Sequence, residues 1–183
     1  MADKINFDLA ASPGHLLHRA TQFAAERFSE AADGVEVTPR QFAVLSAVAA
    51  DEGLTQTQLV KVTGVDRSTL AELVARMASK GLLIREKAPG DARANAIRFT
   101  DAGRQLYETA IAGAAQADEA ILAALPKNKR ANFVDALVRI ASRLDADEAR
   151  DNEAARRAKD AERKRDEKAK KKKKKKKKAR AKS

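Results

Sequence analysis

Between Thr55 and Gly81 the chain writes the same short sentence twice: a capping residue, apolar residues at helical spacing, then a glycine. In Thr55-Gln56-Thr57-Gln58 the threonine hydroxyl can accept from the amide three residues on. The glutamine side chain can return the bond, forming a capping box. Leu59 and Val62 are expected to point inward from this first short helix, and Gly64 to stop it in the left-handed conformation. Asp66 can then cap a second helix whose core stripe is Leu70, Leu73, Val74 and Met77, ended by Gly81. Two short amphipathic helices joined by a tight glycine-containing turn are the signature of a helix-turn-helix.

The flanking segments extend the pattern. Ser12-Pro13 places a capping residue before proline at the first helical position, and Leu16, Ala20, Phe23, Ala24 and Phe28 recur at helical spacing until Gly34. Thr38-Pro39-Arg40-Gln41 repeats the device with a capping-box glutamine, giving a second helix with Phe42, Leu45, Val48 and Ala49 inward. After Gly81 the period changes to two. Leu82 to Lys87 and Ala96 to Phe99 flank the turn-rich Ala88-Pro89-Gly90-Asp91-Ala92-Arg93-Ala94-Asn95, which predicts a β-hairpin with an exposed tip. Thr100 caps a long helix carrying Leu106, Ala110, Ile111, Ala114, Ile121 and Leu122 until Pro126 breaks it. A last helix shows Phe133, Leu137, Ile140 and Leu144. The expected class is mainly α: a helix-turn-helix with a two-stranded β-hairpin wing and flanking helices.

Charge divides the chain. Residues 1–148 hold 18 Lys and Arg against 20 Asp and Glu, net −2, whereas 149–183 hold 19 against 6, net +13. Within the first part, 61–104 carry nine basic and five acidic groups, and the remainder nine against fifteen. A mildly cationic middle between anionic flanks suits one face that approaches a polyanion and another that does not. The expected organisation is an N-terminal arm over 1–11, one domain over 12–148 and a charged tail over 149–183. Pairs such as Glu153 with Arg157 and Asp160 with Lys164 support a helical start to the tail. The run Lys170, Lys171, Lys172, Lys173, Lys174, Lys175, Lys176, Lys177 and Lys178 repels itself and is expected to be disordered.

Several function classes drop out. The chain has no cysteine, which removes disulfides, thiolate metal sites and thiol redox sensing. Neither phosphate-cradling glycine loops nor His-Glu-x-x-His are present, and Ser, His and Asp lack supporting spacing, so no enzyme, cofactor or metal is expected. His15 and His18, at i and i+3, lack further ligands nearby and read as solvated or interface histidines. The N-terminus has no apolar signal region and no stretch approaches the roughly 18 apolar residues that span a membrane, so a cytoplasmic protein is expected.

The order of elements over residues 12–145 resembles the MarR family of bacterial transcriptional regulators. The residues that carry the resemblance are Val65-Asp66-Arg67-Ser68-Thr69-Leu70-Ala71-Glu72-Leu73-Val74-Ala75-Arg76-Met77 and Lys80-Gly81-Leu82-Leu83-Ile84-Arg85. Asp91-Ala92-Arg93-Ala94 and Phe99-Thr100-Asp101-Ala102-Gly103 complete it. Phe99 stands where the family usually has leucine. The resemblance implies a homodimer held by the first and last two helices, with two recognition helices about 34 Å apart on a pseudo-palindromic operator. It also implies a pocket between the helix-turn-helix and the dimerisation helices for a small, phenolic-type effector that changes the spacing of the two reading heads. Phe23, Phe28 and Phe42 are candidates for its lining or for plain core.

With Leu70, Leu73, Val74 and Met77 buried, a step of about 100° per residue puts Ser68, Glu72, Ala75 and Ser79 opposite, with Ala71 and Arg76 on the flanks. Small residues there let a helix sit deep in a major groove. Arg67, Ser68, Thr69, Ala71, Glu72 and Arg76 are the candidate double-stranded DNA contacts; the competing reading is an ordinary solvated face. Gln56, Thr57 and Gln58 can add phosphate contacts at a helix start, although capping alone explains Thr55. Arg93 at the hairpin tip can reach a minor groove, with Asp91 holding its guanidinium as the resemblance also implies. The competing reading is a loop ion pair. Glu72 faces phosphates unfavourably and either accepts from cytosine or, the preferred reading, pairs with Arg76.

Two rivals belong to other classes. In one, the lysine tail supplies most of the affinity and the protein is a nucleoid-associated architectural protein that coats DNA. In the other, the tail binds RNA, against which stands the lack of an aromatic stacking platform.

Overall fold

Hydroxyls and prolines start the helices where the sequence puts them. The computed structural model describes residues 7–32, 34–88 and 91–143, without the side chains of 88 and 91–94. Its elements are α1 (Pro13–Ala31), α2 (Pro39–Ala50), α3 (Gln56–Thr63), α4 (Arg67–Ser79), β1 (Leu83–Ala88), β2 (Asp91–Phe99) and α5 (Asp101–Ala123), with a sixth helix, α6, over 127–143. One compact unit ends at Asp135 and a second begins at Ala136. Residues 144–183, including Leu144 and the whole tail, lie outside the described residues, as do 1–6 of the N-terminal arm.

The capping boxes form at both predicted places. Gln41 N–H donates to the Thr38 hydroxyl and Gln58 N–H to the Thr55 hydroxyl, each at 3.3 Å, and both glutamine side chains accept the return bond. Ser12 precedes Pro13 as expected but makes no side-chain capping bond. At the end of α4, Gly81 has φ of 70°, its N–H donates to the Ala78 carbonyl, and Leu82 N–H donates to that of Met77. This Schellman motif turns the chain directly into the wing.

The core forms around α2, which packs on α3, α4, α5 and β2. Val44, Leu45 and Val48 of α2 meet Leu59, the whole α4 stripe of Leu70, Leu73, Val74 and Met77, and Leu83 and Ile97 of the hairpin. Two sequence-based assignments change here. Val62 is 62% exposed and its neighbour Val60 is buried; Ala49 is exposed while Val44 and Ala47 are buried. A central helix buries more than the single stripe that its period suggests.

The hairpin is longer than predicted. Leu83 pairs with Phe99, Ile84 with Arg98, Arg85 with Ile97, Glu86 with Ala96 and Lys87 with Asn95, and a shift in register follows before Ala88 meets Asp91. Residues 91–95, read as turn from their composition, are strand backbone. Residues 53–55 add a third short pairing: Gly53 N–H donates to the Ile97 carbonyl at 3.0 Å, and Ile97 N–H to that of Leu54 at 2.9 Å.

Two close approaches fix α5. A side chain at Gly103 would collide with the Leu82 carbonyl, and a Cβ at Gly113 would lie 2.6 Å from the Ala31 carbonyl oxygen. Glycine lets α5 touch the wing base at one place and the end of α1 at the other.

Candidate nucleic-acid interface

The helix-turn-helix is locked by polar side chains at its turn. Asp66 accepts from Thr69 N–H at 2.9 Å and from the Ser68 hydroxyl at 2.7 Å. Hydrogen bonding from Thr69 first, then from Ser68, holds the Asp66 carboxyl well below the usual carboxylate range. Arg67 reaches back across the turn and donates to the Thr57 hydroxyl at 3.4 Å, tying α4 to α3. The negative charge of Asp66 sits at the positive end of the α4 dipole.

The outer face of α4 is as the 100° step places it. Ser68, Glu72, Ala75 and Ser79 are exposed, with Arg67 and Arg76 beside them, while Ala71 is half-buried. The preferred pairing of Glu72 with Arg76 does not occur; among the described residues neither forms an ion pair. Both side chains are long enough to meet, but an exposed pair at this spacing gains only about 0.2–0.5 kcal/mol, too little to hold two rotamers together. Of the α3 candidates, Thr57 and Gln58 are exposed and Gln56 is half-buried. The carbonyl oxygen of Gln58 is occupied by the Thr55 amide, leaving its amino group for another partner.

Behind the wing lies an ion-pair node without a sequence signal. Arg98 of β2 bonds Glu86 of β1 at 3.1 Å and approaches Glu52 at 3.6 Å; Arg104 of α5 also pairs with Glu52. Its four members come from four segments, so no local spacing announces it. Phe99 adds to this base: its ring packs 6.1 Å from Tyr107, and the Arg104 guanidinium lies 5.2 Å over it. The wing candidates Asp91 and Arg93 lie on β2, and their side chains are outside those described.

On the other side of α4 a cavity of about 650 Å³ opens between α1, α2, α4 and α5. Thr69, Leu73 and Arg76 line it from α4, Phe28 and Ala24 from α1, Arg40 from α2, and Ala117, Asp118 and Ile121 from α5. Thr69, a DNA candidate by sequence, therefore stands in the cavity wall. Of the three pocket candidates, Phe28 is in the wall and the other two are not. Phe23 lies exposed under the Arg27 guanidinium at 5.2 Å, and Phe42 stacks between Phe28 at 5.6 Å and Tyr107 at 5.8 Å as core. Arg40 and Asp118 were not among the candidates. Arg40 carries a partial signal, an arginine in the first turn of a capped helix, whereas Asp118 has none.

His15 is half-buried and His18 exposed. Among the described residues no group of three or more His, Cys, Asp or Glu could hold a metal, and no helix is long and apolar enough to cross a membrane.

Comparison with known proteins gives this geometry a family. A sequence model of the MarR family matches residues 36–94, from before α2 into the wing. The transcriptional repressor NicR of Pseudomonas putida is 30% identical over 146 residues, which cover 80% of this chain and 90% of NicR. Among solved structures, the Streptomyces coelicolor regulator PcaV in complex with its natural ligand superposes with a TM-score of 0.68 at 33% identity, covering 76% of this chain and 98% of PcaV. The repressor CouR bound to a 23-mer DNA duplex gives 0.66 at 28% identity, covering 73% and 94%. With the helix-turn-helix and part of the wing matched by the family model and most of the chain by NicR, the chain belongs to the MarR family and is a DNA-binding transcriptional regulator, not an enzyme.

Proposed function

We propose that the protein is a ligand-responsive repressor that works in the cytoplasm, at the nucleoid, as a homodimer on a pseudo-palindromic operator. The observation that carries this reading is the two-sidedness of α4. One side exposes Ser68, Glu72, Ala75 and Ser79, and the other contributes Thr69, Leu73 and Arg76 to the cavity wall. A molecule bound in that cavity touches the helix that enters the major groove, and its binding free energy can bias where that helix sits.

In this reading Ser68, Ala71 and Glu72 approach base edges, while Arg67, Arg76, Gln56, Thr57 and Gln58 bond phosphates. Arg93, steadied by Asp91, enters the neighbouring minor groove. The apolar residues left exposed on α1, among them Leu16 and Leu17, belong to the dimer surface. CouR bound to a DNA duplex and PcaV bound to its natural ligand support the two halves of the proposal. Lys170 to Lys178 add sequence-independent affinity through counterion release.

A binding titration tests this reading against the architectural one. On the DNA upstream of its own gene the full chain should bind more tightly than on scrambled DNA. Deletion of 149–183 should weaken both and flatten the log–log salt dependence while keeping the preference, since each phosphate contact accounts for a slope of about 0.9. Loss of all binding on deletion, with no sequence preference in the full chain, establishes DNA coating instead.

A further inference from the structure

We propose that Glu52 is a positioning residue for DNA binding: by holding Arg98 and Arg104 at once it sets the angle at which the wing leaves the domain, and so brings Arg93 to the minor groove. This rests on the reading of Arg93 as the groove contact of the wing, and adds the group that aims it.

The need for such a group follows from how the hairpin is rooted. A two-stranded hairpin is marginal alone, so its direction is fixed where it joins the core. Leu83 and Ile97 are buried there. Gly53 N–H donates to the Ile97 carbonyl and Ile97 N–H to that of Leu54, so both backbone bonds from this segment meet the strand at one residue. Bonds made at a single residue hold register but resist tilt weakly. Arg93 and Arg98 lie on the same strand, separated by about 17 Å at a rise of about 3.3 Å per residue. A tilt of about 10° at the base then moves the strand by about 3 Å at Arg93, against the range of about half an ångström over which a hydrogen bond is made.

The ion-pair node behind the wing supplies the restraint. Arg98 Nε bonds Glu86 Oε2 at 3.1 Å, Arg98 Nη1 lies 3.6 Å from Glu52 Oε2, and the other Glu52 oxygen accepts from Arg104 Nη2. Through one carboxylate, β2 is tied both to the junction between α2 and α3 and to the start of α5, and Arg98 extends the grip to β1. Thr55, which caps α3, follows in the same junction, so the wing is referenced to the helix-turn-helix. An isolated exposed pair would hold neither rotamer. Here the planar guanidinium of Arg98 engages two carboxylates and Glu52 engages two guanidiniums, with the side chains of Glu52 and Arg98 only 30% and 37% exposed.

This assignment predicts a sign opposite to that of simple charge attraction. Glu52 is a negative charge on a domain that meets a polyanion, and on Coulomb grounds alone its removal tightens DNA binding. As the group that aims the wing, its removal weakens binding instead.

The experiment measures affinity of the full chain for its upstream DNA over a range of salt, with thermal unfolding of each variant alongside. Arg93→Ala should weaken binding about tenfold. Glu52→Gln keeps the shape of the side chain and removes its charge; it should weaken binding about fivefold, the scale of coupling within one network, with a smaller salt slope. Added to Arg93→Ala, the same change should alter affinity by less than about twofold, because no groove contact is left to misplace. Arg98→Lys preserves net charge, but a single ammonium cannot fork between Glu86 and Glu52. It should reproduce the loss seen in Glu52→Gln and the same dependence on Arg93.

Unchanged or tighter binding by Glu52→Gln, while Arg93→Ala weakens it, overturns the proposal. So does a loss that adds in full to that of Arg93→Ala, which makes Glu52 a contributor to the fold and not to the aim of the wing. Should Glu52→Gln fail to fold, Arg98→Lys decides by the same two criteria. Wild-type affinity in Arg93→Ala is a different result, which removes the underlying reading of the wing.

Discussion

Helices α4 and α1 are both amphipathic, yet they complete their burial differently. The 13-residue α4 buries Leu70, Leu73, Val74 and Met77 within its own chain, each at most 5% exposed. The 19-residue α1 buries only Phe28 and leaves Leu16 and Leu17 47% and 40% exposed. A helix with its stripe covered belongs to a core that folds alone. One with its stripe in water asks for a second surface, and in a homodimer that surface is another copy. The expected outcome is a helix-turn-helix that is stable in the single chain and an α1 that gains stability on association.

Truncation of one residue on each side puts the largest strain on that contrast. Leu70→Ala removes a fully buried side chain and should cost about 3–5 kcal/mol of unfolding free energy at any protein concentration. Leu17→Ala should leave the unfolding midpoint of dilute protein unchanged and weaken its rise with concentration, because only the associated state uses that side chain. Denaturant titrations at two concentrations decide between them. A concentration-independent loss in Leu17→Ala would show that α1 is satisfied within the chain.

The same contrast explains what could be read from sequence. The α4 stripe was fully legible because the helix presents one face to one core, so period and burial coincide. Around α2 they do not: it is packed on several sides, and Val44 and Ala47 are buried beyond the stripe that the period picks. In α3, two turns long, Val60 and Val62 were not separable by spacing, and the core took Val60. The arm over 91–95, Asp-Ala-Arg-Ala-Asn, lacks strand propensity, and pairing of its two ends, Asp91 and Asn95, with β1 overrides it. At the site, positions on α4 followed from helix geometry alone. Arg40, Asp118 and the Glu52–Arg98–Arg104 node did not, since each meets its neighbours only through tertiary folding.

Two glycines on α5 sharpen the comparison at the next magnitude, one beside each region. Gly103→Ala drives a methyl into the Leu82 carbonyl at the wing base, and Gly113→Ala drives one to 2.6 Å from the Ala31 carbonyl oxygen. The first should destabilise by about 3 kcal/mol, the upper end of overpacking, and the second by about 1–3 kcal/mol. Because the Gly113 contact holds α1 against α5, its variant should also dissociate more readily in sedimentation, while the Gly103 variant should lose DNA affinity first. Equal effects on both readouts would mean that the two regions unfold as one.

A cap change is smaller. Thr55→Ala deletes the hydroxyl that accepts from Gln58 N–H and should cost about 1 kcal/mol in thermal unfolding. Thr55→Ser keeps that hydroxyl and should restore most of the loss. Failure of serine to rescue would place the cost in the lost γ-methyl instead, since the bridge of Thr55 to Ala96 is made by backbone that both variants keep.

The smallest expected effect is a pH dependence confined to the reading head. Asp66, bonded by Thr69 and Ser68, has its carboxyl pKa depressed from an ordinary 3.8. A depressed folded value means that the unfolded chain binds the proton first as pH falls. The contribution is therefore complete above about pH 4 and is lost progressively below it, so stability rises with pH across that window. Asp66→Asn keeps an oxygen that can accept from Thr69 N–H and removes the titration. Other carboxylates titrate in both proteins, so the informative quantity is the difference between them. It should be constant from neutral pH down to the ordinary carboxylate range and shrink below it. Since α1 has no capping carboxylate, the loss should appear in hydrogen exchange of the α4 amides before those of α1. A difference that stays constant through the acid range would show that the bonds to Asp66 persist when it is protonated.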